Sequence, residues 1–132
     1  MTQNEKDMLW QAALDARKQA YAPYSGFSVG AALLADDGRI FVGCNVENAA
    51  YSPTLCAERV ALGAAVAAGA RRFVGIAVIG GRGESLATTP PCGVCRQALS
   101  EFSDIDMCVL FLADGPRTEC PLSELLPYSF RL

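Results

Sequence analysis

The chain has 132 residues, 52% of them hydrophobic and 19% charged, which suits one core and one domain over 1–132 and is too short for two ordinary domains. With 11 Lys and Arg against 14 Asp and Glu the formal net charge is -3, and the lack of a basic stripe counts against a nucleic-acid partner, whose phosphates need neutralising. The polar start MTQNEKDM and the lack of any apolar stretch of about 18 residues give no sign of a secretory leader or a membrane span, so the expected place is the cytoplasm.

Thr2 and Glu5 have the spacing of a capping box, and Leu9, Ala12, Ala13, Ala16 and Ala20 recur at helical intervals after them, which predicts an amphipathic first helix ending before Pro23. "FSVGAALLA" and "RIFVGCNV" are β-branched, apolar runs on either side of Asp36-Asp37-Gly38, the pattern of a hairpin. Ser52 and Thr54 are N-cap residues and Pro53 suits a first helical position, so the alanine-rich stretch over about 55–70 reads as a second helix, with Gly69 at its end. "FVGIAVIG" is short and wholly apolar, as a strand buried on both faces would be. "GRGESLATTPP" then reads as a loop, and a third helix runs from about 92 to 102. "MCVLFLA" is a fourth strand, "DGPR" a turn, "TECPL" a fifth strand, and "SELLPYSF" a closing helical turn. This order predicts an α/β fold, a three-layer α-β-α sandwich with a mixed sheet of about five strands.

The chain carries six cysteines, and in a reducing compartment these are metal ligands, catalytic groups or small core residues more often than disulfides. Cys92 and Cys95, in P-C-x-x-C, are three apart and share one helical face, so both can bite one metal, although a redox pair or two core cysteines have the same spacing. Cys56, in C-A-E, is a third ligand or a small buried residue. Each lies at the start of a predicted helix, where the positive partial charge of the N-terminus favours thiolate. Three thiolates leave the fourth tetrahedral position open to water. Glu58, beside such a metal and outside its ligand set, can handle the proton of that water; on its own it would be an ordinary helix glutamate.

Cys, one residue, Glu, then P-C-x-x-C is the signature of the zinc nucleobase and nucleoside deaminases. "YAPYSGFSVGAAL", "GCNVENAAYS", "CAER", "PCGVCRQ" and "ELLPYSF" together resemble the small homotetrameric cytidine deaminases over nearly the whole chain. The resemblance implies one Zn2+ per chain on Cys56, Cys92 and Cys95, Glu58 as proton shuttle, and deamination of cytidine and 2'-deoxycytidine to the uracil nucleosides in pyrimidine salvage. It implies that Asn45 and Glu47 meet the ribose, with Val46 between them in the substrate site, that Phe27 packs on the nucleoside, and that the Ala57 backbone contacts the base. It places Arg59 and Gln97 beside the ligand cysteines, and Tyr51 and Phe130 across a subunit interface of a homotetramer. Many relatives continue past the position of Leu132, which bears on the tail contacts of that assembly.

Cys44, Cys108 and Cys120 match no position of the pattern and read as buried small residues or a free thiol. A rival reading closes the metal sphere with Cys44 or Cys108 and makes the protein a structural zinc module. Another makes it a nucleic-acid enzyme, against the acidic balance, and a third substitutes a cytosine-containing antibiotic for the nucleoside.

Overall fold

Thr2 and Glu5 cap the first helix reciprocally: the Glu5 backbone N–H donates to Thr2 Oγ1 at 3.1 Å and the Thr2 N–H to Glu5 Oε1 at 2.8 Å. The computed structural model describes residues 1–102 and 104–132, and in it this helix, α1, spans Gln3–Arg17. It ends before Ala20, earlier than the alanine spacing predicts. Arg17 folds back there, donating to the carbonyls of Ser28, Gly81 and Gly83.

The hairpin forms as expected, from β1 (Phe27–Ala35) and β2 (Ile40–Cys44). Its turn closes with Ala35 N–H on Arg39 O at 2.9 Å, and Gly38 takes the left-handed φ of +92° that favours glycine. The second helix, α2, spans Ala57–Ala67, so the expected start at Ser52 to Leu55 is corrected: its N-cap is Cys56. The preceding residues are instead tied to the extension of β2, where Val46 and Leu55 exchange backbone hydrogen bonds of 2.9 Å.

After α2 come β3 (Phe73–Arg82), β4 (Ser85–Ala87), α3 (Gly93–Ser100), β5 (Cys108–Leu112), β6 (Arg117–Pro121) and a four-residue α4 (Leu122–Leu125). The order across the sheet is β2-β1-β3-β5-β6, parallel only between β3 and β5. β4 is a sixth strand inside the stretch that reads as a loop. It pairs with the far end of β3, Gly80 to Arg82, alongside the segment Gly75 to Ala77 that holds β5.

Strand alternation sends residues to two cores. Leu33, Ile76, Val78, Val109 and Phe111 pack under α2 and α3, whereas Ala32, Leu34, Ala77, Ile79 and Leu110 pack under α1. The expected three layers and mixed sheet are therefore present. α2 lies unusually close to its strand: a Cβ on Gly43 would stand 2.4 Å from Ala57 O and 2.5 Å from Ala61 N. Both are backbone atoms, so only glycine admits the first turn of α2 at this depth. That turn brings Cys56, Ala57 and Glu58 to the end of the sheet where α3 also begins. Among the described residues no helix is long and apolar enough to cross a membrane.

Candidate active site

Two cysteines occupy positions where a helix ordinarily carries Ser, Thr, Asp or Asn. Cys56 is the N-cap of α2 and Cys92 the N-cap of α3, both with extended backbone, and Cys92 Sγ accepts from the Cys95 N–H at 3.4 Å. Cys95 lies inside the first turn of α3 and is wholly buried. The two helix starts converge, so that the Sγ atoms of Cys56 and Cys92 are 3.6 Å apart and all three sulfurs lie within 4.8 Å of one another.

This set fits zinc on geometry and on charge. Tetrahedral Zn–S bonds of about 2.3 Å put sulfurs about 3.8 Å apart, close to the separation seen. The Cys56 thiol is drawn down to about 5, first by the hydrogen bond from Cys95 and then, against the cost of burial, by those from Arg59 and Cys92. Cys95 is pushed up, first as the donor in that pair, then by burial and the Glu58 charge. Two thiolates about 4 Å apart repel by about 4 kcal/mol at an effective dielectric of about 20. Full ionisation of the triad therefore calls for a cation between the sulfurs, which a zinc ion supplies. No fourth cysteine joins the group among the described residues. Cys44 ends β2, Cys120 packs against the α2 side of the core, and Cys108 sits under α1 near Glu119. The closed structural site is thus without its fourth thiol.

Glu58 is the second residue of α2 and only 3% exposed. Burial raises its pKa, and the neighbouring Cys56 charge adds to the rise, while hydrogen bonding at its own backbone, to Cys95 and at the Cys92 backbone opposes it. A carboxyl moved upward from 4.5 is better matched to proton transfer near neutral pH than an exposed one. It faces a cavity of about 160 Å³ whose wall also includes Val29, Asn45, Ala57, Thr89 and Cys92. A second cavity of about 260 Å³, lined by Tyr24, Ser25, Glu47 and Tyr51, meets the first at Thr54. A larger one, about 340 Å³, lies at Asp106, Tyr128 and Arg131 and contains none of these groups.

Of the remaining residues singled out in the sequence, Asn45 and Ala57 line the first cavity and Glu47 and Tyr51 the second, whereas Phe27, Val46, Arg59, Gln97 and Phe130 are not among the lining residues of either. Asn45 is 9% exposed; its Oδ1 accepts from Val29 N–H at 2.9 Å and its Nδ2 donates to Phe27 O at 2.8 Å. One amide hydrogen and one lone pair are left over for a ligand. Both Glu47 oxygens are engaged on the preceding loop: Oε1 accepts from the Tyr24 and Ser25 N–H groups at 3.0 and 3.1 Å, and Oε2 from the Ser25 hydroxyl. Those bonds, the Ser25 hydroxyl first, hold its pKa down. Val46 is paired by backbone to Leu55 and bridges to Tyr21. Phe27 opens β1. Tyr51 is 77% exposed with φ of +60°, a conformation costly for a tyrosine, and lines the outer cavity.

Arg59 stands beside the triad, Nη2 lying 3.8 Å from Cys56 Sγ and 3.5 Å from Thr54 O. Its Nε is buried and makes no hydrogen bond among the described residues. The Gln97 amide donates to the Phe130 carbonyl at 3.2 Å, and among the described residues no hydrogen bond joins it to the cysteines. Phe130 itself is 69% exposed at the rim of the molecule. Thr54, read from the sequence only as a helix cap, and Thr89 and Ser25, not singled out there, also line the two cavities. Thr89 sits three residues before Cys92, and closeness to a ligand is the one signal that marks it.

Residues 3–112 match the family model for the cytidine and deoxycytidylate deaminase zinc-binding region. Among curated relatives, the cytidine deaminase of Sporosarcina psychrophila is 49% identical over 116 residues, 87% of this chain and 83% of that protein. That of Halalkalibacterium halodurans is 46% identical over 127 residues, 96% of this chain and 94% of the other. Among solved structures, cytidine deaminase from Burkholderia pseudomallei superposes with a TM-score of 0.85 at 45% identity, covering 98% of this chain and 100% of that one.

Proposed function

The chain belongs to the zinc-binding cytidine and deoxycytidylate deaminases, and from that premise we propose that it hydrolyses cytidine and 2'-deoxycytidine to uridine and 2'-deoxyuridine, releasing ammonia. Cytidine deamination makes it a hydrolase, and a role in pyrimidine salvage is consistent with that. The observation that carries the reading is a buried glutamate at a cavity walled by two of three clustered cysteines.

Cys56, Cys92 and Cys95 would hold the zinc, which when bound lowers the pKa of water from about 15.7 to about 7 and so supplies a nucleophile at neutral pH. Glu58 moves the protons. Its carboxylate takes one from the attacking water and delivers it at N3 of the cytosine ring, which leaves C4 open to attack. A second transfer moves the proton of the new C4 hydroxyl to the exocyclic nitrogen, and as the C4–N bond breaks that group leaves as ammonia and the C4 carbonyl forms. Asn45, held on both sides by β1, offers its remaining amide hydrogen toward the sugar, and the Ala57 backbone lies along the base. Glu47 has one acceptor site left, on Oε2, for a ribose hydroxyl, and any further contact exchanges a donor that Ser25 or Tyr24 now gives it.

Incubation of the zinc-loaded protein with cytidine should yield uridine and ammonia in equal amounts. A single-stranded oligonucleotide should be turned over far more slowly, given the net charge of -3. Comparable rates on the two would overturn the assignment to a free nucleoside.

Three thiolates and one Zn2+ sum to a charge of -1, which weakens the pull of the ion on its water. Arg59 offsets this at Cys56. Arg59→Gln is expected to lower activity by about 10 to 100-fold, the usual size of a change around metal ligands. The loss should be smaller in a Cys56→His background, where a neutral ligand has already removed the excess charge. Additive losses at full zinc content would reduce Arg59 to a solvated helix cation.

The assembly is a homotetramer on this reading, working in the cytoplasm, with Tyr51 and Phe130 facing a neighbouring subunit. Support comes from the large side chains left at the rim: Tyr51, Leu55, Val94, Tyr128 and Phe130 are all exposed. Phe130→Ala should raise the KM for cytidine with zinc content unchanged. A monomer in solution with full activity would exclude the arrangement.

A further inference from the structure

We propose that Gly80 is a positioning residue that sets the depth of the nucleoside cavity, by leaving room beneath it for the Phe27 ring and the Thr89 side chain. The inference rests on the deamination reading above. Along β3, Ile76 and Val78 point into the core under α2 and α3, and the alternation of the strand turns residue 80 to that same face. Gly80 pairs with Val29 on β1, and Val29 and Thr89 both belong to the cavity wall beside Glu58 and Cys92. A Cβ on Gly80 would stand 2.7 Å from Phe27 Cε1, 2.8 Å from Thr89 Cγ2 and 2.8 Å from Thr89 Oγ1. These are closer than carbon and oxygen atoms approach without displacement.

Both neighbours are tethered nearby. Thr89 Oγ1 donates to Ala87 O at 2.9 Å, and Ala87 is paired with Gly80 itself through β4. The Phe27 backbone is fastened at both ends, its N–H to Ser25 Oγ at 2.9 Å and its carbonyl to Asn45 Nδ2 at 2.8 Å. A methyl at position 80 is therefore accommodated by pushing Thr89 or the Phe27 ring, and Thr89 is part of the space a nucleoside fills. The sulfurs and Glu58 sit on α2 and α3, and none of them is among the three atoms nearest the methyl. Binding should suffer and proton transfer should not.

The experiment is steady-state kinetics on cytidine with zinc-loaded protein, comparing Gly80→Ala in the parent and in a Thr89→Ala background. In the parent, KM should rise about tenfold or more, the size expected of one methyl forced into a packed site, with kcat within about threefold and zinc content full. Thr89→Ala removes both Thr89 atoms that crowd the methyl, so there the rise caused by Gly80→Ala should shrink to about threefold or less. An equal rise in both backgrounds, or an unchanged KM in a zinc-replete Gly80→Ala protein, overturns the proposal. So does failure of both Gly80→Ala proteins to hold zinc, which would make position 80 a matter of folding alone. An inactive parent overturns the deamination reading as well; an active parent with any of those three results overturns this inference only.

Discussion

Replacement of Glu58 by glutamine is expected to lower turnover by about 10² to 10⁴-fold, the range general acid and base catalysis is worth, with zinc content unchanged. Glutamine keeps the shape of the side chain but cannot accept and release a proton at its oxygen. Metal analysis and steady-state rates on the same preparation check this, and near-normal turnover in a zinc-replete variant would remove Glu58 from the mechanism. Stability should move the other way. Glu58 is buried and its pKa is raised from 4.5, so in metal-free protein the fold favours its neutral form. The associated stability is complete below about 4.5 and is lost as pH rises through the folded value. Glutamine stays neutral throughout, so the metal-free variant should keep its Tm across that window while the parent's declines.

Cys92→Ser is expected to abolish zinc binding and with it activity, whereas Cys44→Ser leaves both in place. The choice of serine makes the result decisive. Cys92 is the N-cap of α3, and serine is among the residues most favoured there, so the helix keeps its cap and the loss falls on the metal. Cys44 ends β2 and stands outside the group of three sulfurs. Zinc stoichiometry on the two variants separates the open site from a closed one. Equal loss from both would mean that Cys44 is a ligand.

The parts legible in the sequence are those whose signal is local. A capping box fixes one end of α1, an Asp-Gly turn marks the hairpin, and the spacing of Cys56, Glu58, Cys92 and Cys95 marks the chemistry before any fold is known. What was not legible depends on partners distant in sequence. Ser52 and Thr54 are better caps by propensity than Cys56, yet the chain before Cys56 is spent pairing with Val46, and the helix begins later than its composition suggests. Ser85 to Ala87 is short and exposed, with no alternation to betray a strand, and becomes one only because β3 runs past β5 and leaves an edge to fill. Glu47 and Gln97 teach the same lesson within the site. Their bonds to Ser25 and to the Phe130 carbonyl belong to segments that meet only after folding.

The convergence of two helix starts on one cluster of sulfurs also bears on how the molecule holds together. Cys56 and Cys92 are 36 residues apart in the chain, and the span between them contains all of α2, β3 and β4. A metal bound at both is a removable cross-link that closes this loop, and because the site needs both helices in place, its binding free energy is added to that of folding. Chelation should therefore lower the Tm of the whole domain as well as its activity, and re-addition of zinc should restore both together. An enzyme built this way carries its own quality control, since a chain that has not brought α2 and α3 together cannot retain the ion.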